Sequence, residues 1–485
     1  MKKTEDKNQK RGRVKRITVA VVAAALVAAV IGGVVAVVLS RRPVTVAQKP
    51  KPAETAEQPF VPMTTGESEN FRIPAMVTLE SGRIVAAADA RYDKTQDGGG
   101  LDTVVALSDD NGKTWKSYTA NYLGDNGNVF SPRSTAIMDP ELLTDGKNVW
   151  MLATFYSGGR NIVLRSGMKG ASDGSAFNDD GTLKISSNHG LNYNCKADIE
   201  NFTNGYSDIL KKDGTKTGYK IDEYFYCYNE NGECEGNIFY IKGSVKYSVV
   251  PTTYLYLTCS SDGGESFGAP KLLNVKKESE TFYGAGPGRG VFTKDGTLIF
   301  SAYSFYKNAN GQRASFIYSE DNGKTWKRSK DFENREEFAY SGESQLVELS
   351  DGTLRCFFRN SSDRICYTDA VKENGEYVWK TPVVTGVEAT SSCMLSAITV
   401  EGKKEEYILV SCPTGTADGK HTRSDGKIFV FEAKSMELLK TTELPKGEFM
   451  YSCMSELKNG SVAMLYENAD GKITFTSFER EKLIP

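Results

Sequence analysis

From about residue 67 onward, short apolar runs alternate with polar turns, and no long stretch keeps the 3.6-residue spacing of a helix. The runs come in pairs: an apolar segment, a turn such as Asp-Gly, then a second apolar segment. The pairs read IPAMVTLESGRIVAAA, TAIMDPELLTDGKNVWMLATF, GVFTKDGTLIFSAY, SQLVELSDGTLRCFF, SAITVEGKKEEYILVS and SCMSELKNGSVAMLYE. Each is the pattern of a β-hairpin. Their turn glycines are Gly82, Gly146, Gly296, Gly352, Gly402 and Gly460, spaced 50 to 64 residues apart except for a gap of 150 between Gly146 and Gly296. A four-stranded propeller blade takes roughly 40–50 residues, so the long gap carries an insertion, placed at about 160–250. The pattern therefore predicts an all-β chain. It is expected to form a six-bladed β-propeller over residues 67–485, with the inserted segment between the second and third blades. Radial repetition of this kind protects the sheet edges.

An eight-residue phrase recurs between the hairpins: SDDNGKTW from Ser108, SSDGGESF from Ser260 and SEDNGKTW from Ser319. Asp, Asn and Gly in succession make a turn, and the closing aromatic can pin that turn against a sheet. The phrase reads as a structural staple joining the outer strands of a blade. A calcium loop is excluded, because such a loop needs a glutamate six residues after its glycine. Tyr118 and Ser329 stand at those positions.

The N-terminus breaks this composition. Residues 1–16 form a basic tail with eight Lys and Arg, and Ile17–Leu39 is a 23-residue stretch that is apolar but for Thr18. That length suits a bilayer core, and the basic excess before it directs the remainder outward. One N-terminal transmembrane helix is thus expected at 17–39, followed by a flexible linker over 40–66. The location implied is a single-pass cell-membrane protein with the propeller outside. Secretion after signal cleavage is the alternative.

The chain has 485 residues and a net charge of −2, which gives no field for a nucleic-acid partner. His189 and His421 are the two histidines. So few argues against His-rich zinc sites and against a Ser-His-Asp mechanism. Nine cysteines without a CxxC pair make a disulfide framework an unsuitable reading, although Cys227 and Cys234 flank a turn-like stretch and can pair.

The polar residues sharpen the picture. In a hairpin, the start of the first strand and the end of the second lie at the same end, away from the turn. At that end the six units carry Arg72, Arg91 and Asp97; Arg133 and Arg160; Arg289; Glu343 and Arg359; Arg423; and Tyr451. Seven arginines at one end of a nearly neutral chain point to a site for a small anion, since Arg binds carboxylates in a planar, two-pronged way. GAGPGRG, Gly284–Gly290, is not a phosphate loop, because a hairpin rather than a helix follows it. It reads as a tight backbone loop lining the pocket.

FRIP at Phe71–Pro74 together with three copies of the staple (the Asp box) resembles the bacterial sialidases, over about residues 67–485. The stretches ADARYDKTQDGGGLD, FYGAGPGRG, ESQLVEL, FFRN and KGEFMYSCMSEL are similar too, and in the same order. The resemblance implies an exo-alpha-sialidase, a glycoside hydrolase acting on sialylated glycans with no metal and no cofactor, expected as a monomer. It implies that Arg72, Arg359 and Arg423 grip the substrate carboxylate and that Arg91 contacts the sugar. Tyr451 resembles the nucleophile, Glu343 its general base and Asp97 the acid/base, with Asp102 as the alternative in the same loop. Arg133, Arg160 and Arg289 receive no role.

The implied chemistry is coherent. Sialic acid carries a carboxylate on its anomeric carbon, which repels a carboxylate nucleophile, and sialidases use Tyr instead. A phenol with an ordinary pKa near 10 needs a base beside it. Two alternatives remain open: an intramolecular trans-sialidase that releases an anhydro-sialic acid, and a non-catalytic sialoglycan-binding propeller.

Overall fold

The computed structural model describes residues 58–60, 68, 70–91, 97, 100–122, 135–157, 174–189, 192–240, 245–306, 311–469 and 471–485. Within them the fold is all-β apart from short turns and one four-residue helix, Arg480–Leu483.

All six expected hairpins form. Asn70–Thr78 pairs with Ile84–Arg91, Ala136–Thr144 with Val149–Tyr156, and Ser341–Glu348 with Leu354–Asn360. Ser396–Glu401 pairs with Glu406–Pro413 and Ser452–Glu456 with Val462–Ala469, while in the third unit Val291–Phe292 pairs with Leu298–Tyr306. The second strands of the first two units are buried at every position. That is why they read as unbroken apolar runs such as IVAAA rather than as alternating ones.

The sheets do not divide as expected. The first two units share one nine-stranded sheet rather than forming two blades. Its strands are joined by parallel pairing of Leu101 with Ala136, and Gly288–Arg289 runs parallel to Glu141–Leu142 in the same sheet. Two five-stranded sheets, a four-stranded sheet and a closing three-stranded sheet follow. The prediction of six separate four-stranded blades is therefore corrected: apart from the sheet of the insertion, four sheets of four or more strands stand in a propeller-like arrangement. Turn glycines mark hairpins, but parallel ladder bonds decide which hairpins merge, and those carry no turn.

The insertion is also placed differently. Thr253–Ser260 pairs along its whole length with Val149–Tyr156, so the intervening segment sits inside the second unit rather than between the second and third. It makes a seven-stranded sheet from Leu183–Ser186 to Ser248–Val249. Its Ile185, Ile209, Ile221 and Phe239 pack on Phe155, Tyr254 and Tyr256 of the unit that carries it. Cys227 and Cys234 are not disulfide-bonded.

No helix among the described residues is long and apolar enough to cross a membrane. The expected membrane span at 17–39 is thus no part of the described fold. Ile17–Leu39 and the location inferred from it lie outside the described residues, as do Arg133 and Arg160.

Apolar clusters fill the spaces between successive units. Ile84, Ala86 and Trp115 of the first pack with Cys453, Leu465 and Ile473 of the last, so the two ends of the array share a core. All three staples adopt one geometry between the third and fourth strands of a unit. Ser108 Oγ donates to Asp110 and accepts the Gly112 amide at 2.9 Å, while Asp110 Oδ2 accepts the Thr114 hydroxyl at 2.6 Å. The same set recurs on Ser260, Asp262, Gly264 and Ser266, and on Ser319, Asp321, Gly323 and Thr325.

Candidate active site

The first strands of three of the hairpins are irregular at the end away from their turns. Registers shift between Arg72 and Ala75, between Met138 and Glu141, and between Ser341 and Ser344. Such bulges bend a strand and re-aim side chains. Ile73 has φ 61° and Asp139 φ 58°, each immediately before a proline. A β-branched residue in that conformation is strained, and strain of this kind gathers at functional sites. The bulges carry Arg72, Asp139 and Glu343 into one region.

Tyr451, just before Ser452–Glu456, and Glu343 meet there. The Tyr451 hydroxyl lies 2.7 Å from each Glu343 carboxylate oxygen and donates to them. Arg359, at the end of Leu354–Asn360, donates from Nη1 to Glu343 Oε2 at 2.8 Å and to the Tyr451 oxygen at 3.0 Å. Both Tyr451 and Glu343 are buried. The guanidinium carbons of Arg72 and Arg423 each stand 5.6 Å from the Tyr451 ring centre. Three guanidiniums from three units thus surround one phenol.

Burial first, and then the Glu343 carboxylate, push the Tyr451 phenol well above its usual range, while Arg359 and Arg423 pull it down. The Glu343 carboxylate holds the Arg359 guanidinium above its ordinary value, against burial. Burial lowers Arg72, but Glu467 outweighs it and leaves the guanidinium raised.

Asp97 accepts from Arg91 Nη1 at 2.7 Å, with its side chain 43% exposed. Arg91 is wholly buried and also donates to Asp89 at 2.7 Å. Asp102 stands on Leu101–Ser108, opposite Ala90. The structure thus brings Arg72, Arg359, Arg423, Tyr451 and Glu343 together, with the Arg91–Asp97 pair beside Arg72. Arg289 is not among them. It lies with Gly290 against a cavity at the turn end of the hairpins, so this end of GAGPGRG does not line the pocket.

Three acids here escaped the sequence reading. Glu467 pairs with Arg72 at 3.0 Å. Asp89 accepts the Asp139 amide at 2.8 Å and ties the first two units together. Asp139 is buried among acids, and burial, then Asp89 and Glu343, push its carboxyl well up. The signals were present: Glu467 ends a second strand as Arg91 and Arg359 do, and MDP copies the position of RIP.

Residues 73–430 match the BNR repeat-like domain model. The chain is 29% identical to the anhydrosialidase of Macrobdella decora, across 83% of this chain and 58% of that protein. It is likewise 29% identical to sialidase B of Streptococcus pneumoniae serotype 4, across 83% of this chain and 62% of the relative. The chain therefore spans about three fifths of the length of these relatives. Among solved structures it resembles the intramolecular trans-sialidase from Ruminococcus gnavus in complex with oseltamivir carboxylate, at 26% identity and a TM-score of 0.74, covering 88% of this chain and 98% of that one.

Proposed function

We propose, from the premise that this chain belongs to the BNR repeat-like domain family and that its relatives are sialidases, that it is an exo-alpha-sialidase acting on sialylated glycans with Tyr451 as nucleophile. The observation that carries the reading is the Tyr451 hydroxyl 2.7 Å from both oxygens of Glu343, with Arg359 bonded to both side chains.

Arg72, Arg359 and Arg423 receive the sugar's carboxylate and set its anomeric carbon over the phenol oxygen. Arg359 exchanges its bond to the phenol for one to the substrate. Glu343 takes the phenol proton as the Tyr451 oxygen attacks, which matters because burial holds that proton firmly. Asp97 protonates the leaving oxygen as the glycosidic bond breaks. In the second half Asp97 takes a proton from water, the water oxygen attacks the anomeric carbon, and Glu343 returns its proton to the departing Tyr451. Two displacements retain the configuration. Arg91 holds Asp97 in place.

A second reading changes the acceptor. The names of the Macrobdella decora relative and the Ruminococcus gnavus neighbour favour an intramolecular attack by a hydroxyl of the sugar itself, which releases an anhydro-sialic acid. Incubation with 3′-sialyllactose and mass spectrometry of the released sugar decides between them. Free sialic acid supports hydrolysis, and a product lighter by one water supports intramolecular transfer. No release of sugar would overturn both and leave a binding propeller.

A further inference from the structure

At the turn end of the hairpins, away from Tyr451, lies a second concavity of about 500 Å³. Thr78, Leu79, Thr144, Ile398, Thr399 and Ser455 form much of its wall, with Arg289 and Gly290 beside them. Thr78 stands six residues along the strand from Arg72, about 20 Å of extended chain. The two sites are therefore separate.

Arg289 is the unusual member. The buried and half-buried arginines Arg72, Arg91, Arg328, Arg355 and Arg359 each face a carboxylate. Arg289 has no ion pair among the described residues. Its Nε is buried without a hydrogen-bond partner, and its Nη2 reaches only the Ala397 carbonyl, at 3.4 Å. The groups nearest its loop form no ion pair with it among the described residues. Glu141, opposite Gly288, gives one oxygen to the Ser301 amide and hydroxyl, and burial holds its carboxyl well above the ordinary range. Burial likewise pushes the Cys453 thiol up to about 12. Two of the carboxylates at the cavity are engaged elsewhere. Asp145 accepts the Lys147 and Asn148 amides of its own turn, and Glu456 pairs with Arg480 at 3.1 Å. The side chain of the third, Glu80, lies over Gly146, and Lys458 adds a cation to the same rim.

A half-buried guanidinium without a counter-charge is costly, and the fork of Arg suits two oxygens in one plane. The volume is that of a small-molecule site. We propose that this cavity binds a small oxyanion, a carboxylate or a phosphate, on the guanidinium of Arg289.

The test is thermal melting of the full chain, titrated separately with acetate and with inorganic phosphate at constant ionic strength set by chloride. A ligand that binds only the folded state raises Tm. One of the two anions is expected to give a saturating rise of about 2 °C or more. Which anion does so identifies the source chemistry. The rise should persist in Arg359→Ala, which weakens the carboxylate grip at the other end, and vanish in Arg289→Met. No saturating rise with either anion, or a rise that survives Arg289→Met, overturns the proposal. If Arg289→Met does not fold, Thr399→Tyr decides the matter by filling the wall while keeping the guanidinium. Loss of the rise supports the site, and an unchanged rise overturns it.

Discussion

Glu467 holds Arg72 and its neighbour at once: Oε2 accepts from the guanidinium at 3.0 Å, and Oε1 accepts the Ile73 amide at 2.7 Å. The contact spans 395 residues and joins the last unit to the strained bulge of the first. Glu467→Ala removes both partners from buried donors. A loss of about 3 kcal/mol is expected from a broken buried pair, read as a lower urea midpoint, together with a higher KM for sialyllactose. Glu467→Gln keeps an acceptor for Ile73 and should lose less. An unchanged midpoint in the alanine variant would mean that the contact contributes nothing.

Tyr451→Phe deletes one oxygen and keeps the ring packed beside Ile73, Cys393 and Met394. Glu343 and Arg359 still satisfy each other at 2.8 Å, so the fold should survive with a Tm close to that of the parent. Turnover of a sialoside should fall by about three orders of magnitude or more, since the covalent step is gone. A variant that keeps more than about a tenth of the parent activity would remove Tyr451 from the nucleophile's role.

Burial first, against the opposing charge of Arg91, pushes Asp89 up to about 6 from an ordinary value of 3.8. The sign follows from linkage. Between those values the folded chain holds a proton that the unfolded chain has released, so this group's contribution to stability falls as pH rises from about 4 through about 6. Asp139 and Glu141 are shifted the same way, which makes a difference measurement necessary. Comparing Tm of the parent with that of Asp89→Asn across this window isolates Asp89. The parent should lose stability relative to the variant as pH rises, and a constant difference would contradict the shift.

What was legible in the sequence was local. Apolar pairs around a turn glycine gave the hairpins, because each needs only contacts between neighbours in the chain. Arg72, Glu343, Arg359, Arg423 and Tyr451 were found because they sit at one end of those hairpins, and the structure places them within a few ångströms. What was not legible rests on distant pairing. The merger of two units depends on the ladder from Leu101 to Ala136, and the position of the insertion depends on Thr253 meeting Tyr156 across about a hundred residues. Arg289 was assigned to the wrong end because its loop runs parallel to Glu141–Leu142 instead of continuing a hairpin.

The staples allow strain and crowding to be separated. Gly112 has φ 84°, and a Cβ there would stand 2.1 Å from Phe475 of the last unit, whose ring packs edge-on against Trp115 at 5.2 Å. Gly352 has nearly the same φ, 85°, with nothing within 4 Å of the position a Cβ would take. Alanine at Gly352 therefore adds only the backbone cost of the left-handed region, about 1–2 kcal/mol. Alanine at Gly112 adds the same cost and also drives Phe475 off Trp115, a further 1–3 kcal/mol typical of an overpacked core. Urea unfolding of Gly112→Ala and Gly352→Ala should rank the first as clearly the less stable. Equal losses would show that the phrase is held by its turn alone, and that the contact between the first and last units contributes little to holding the array closed.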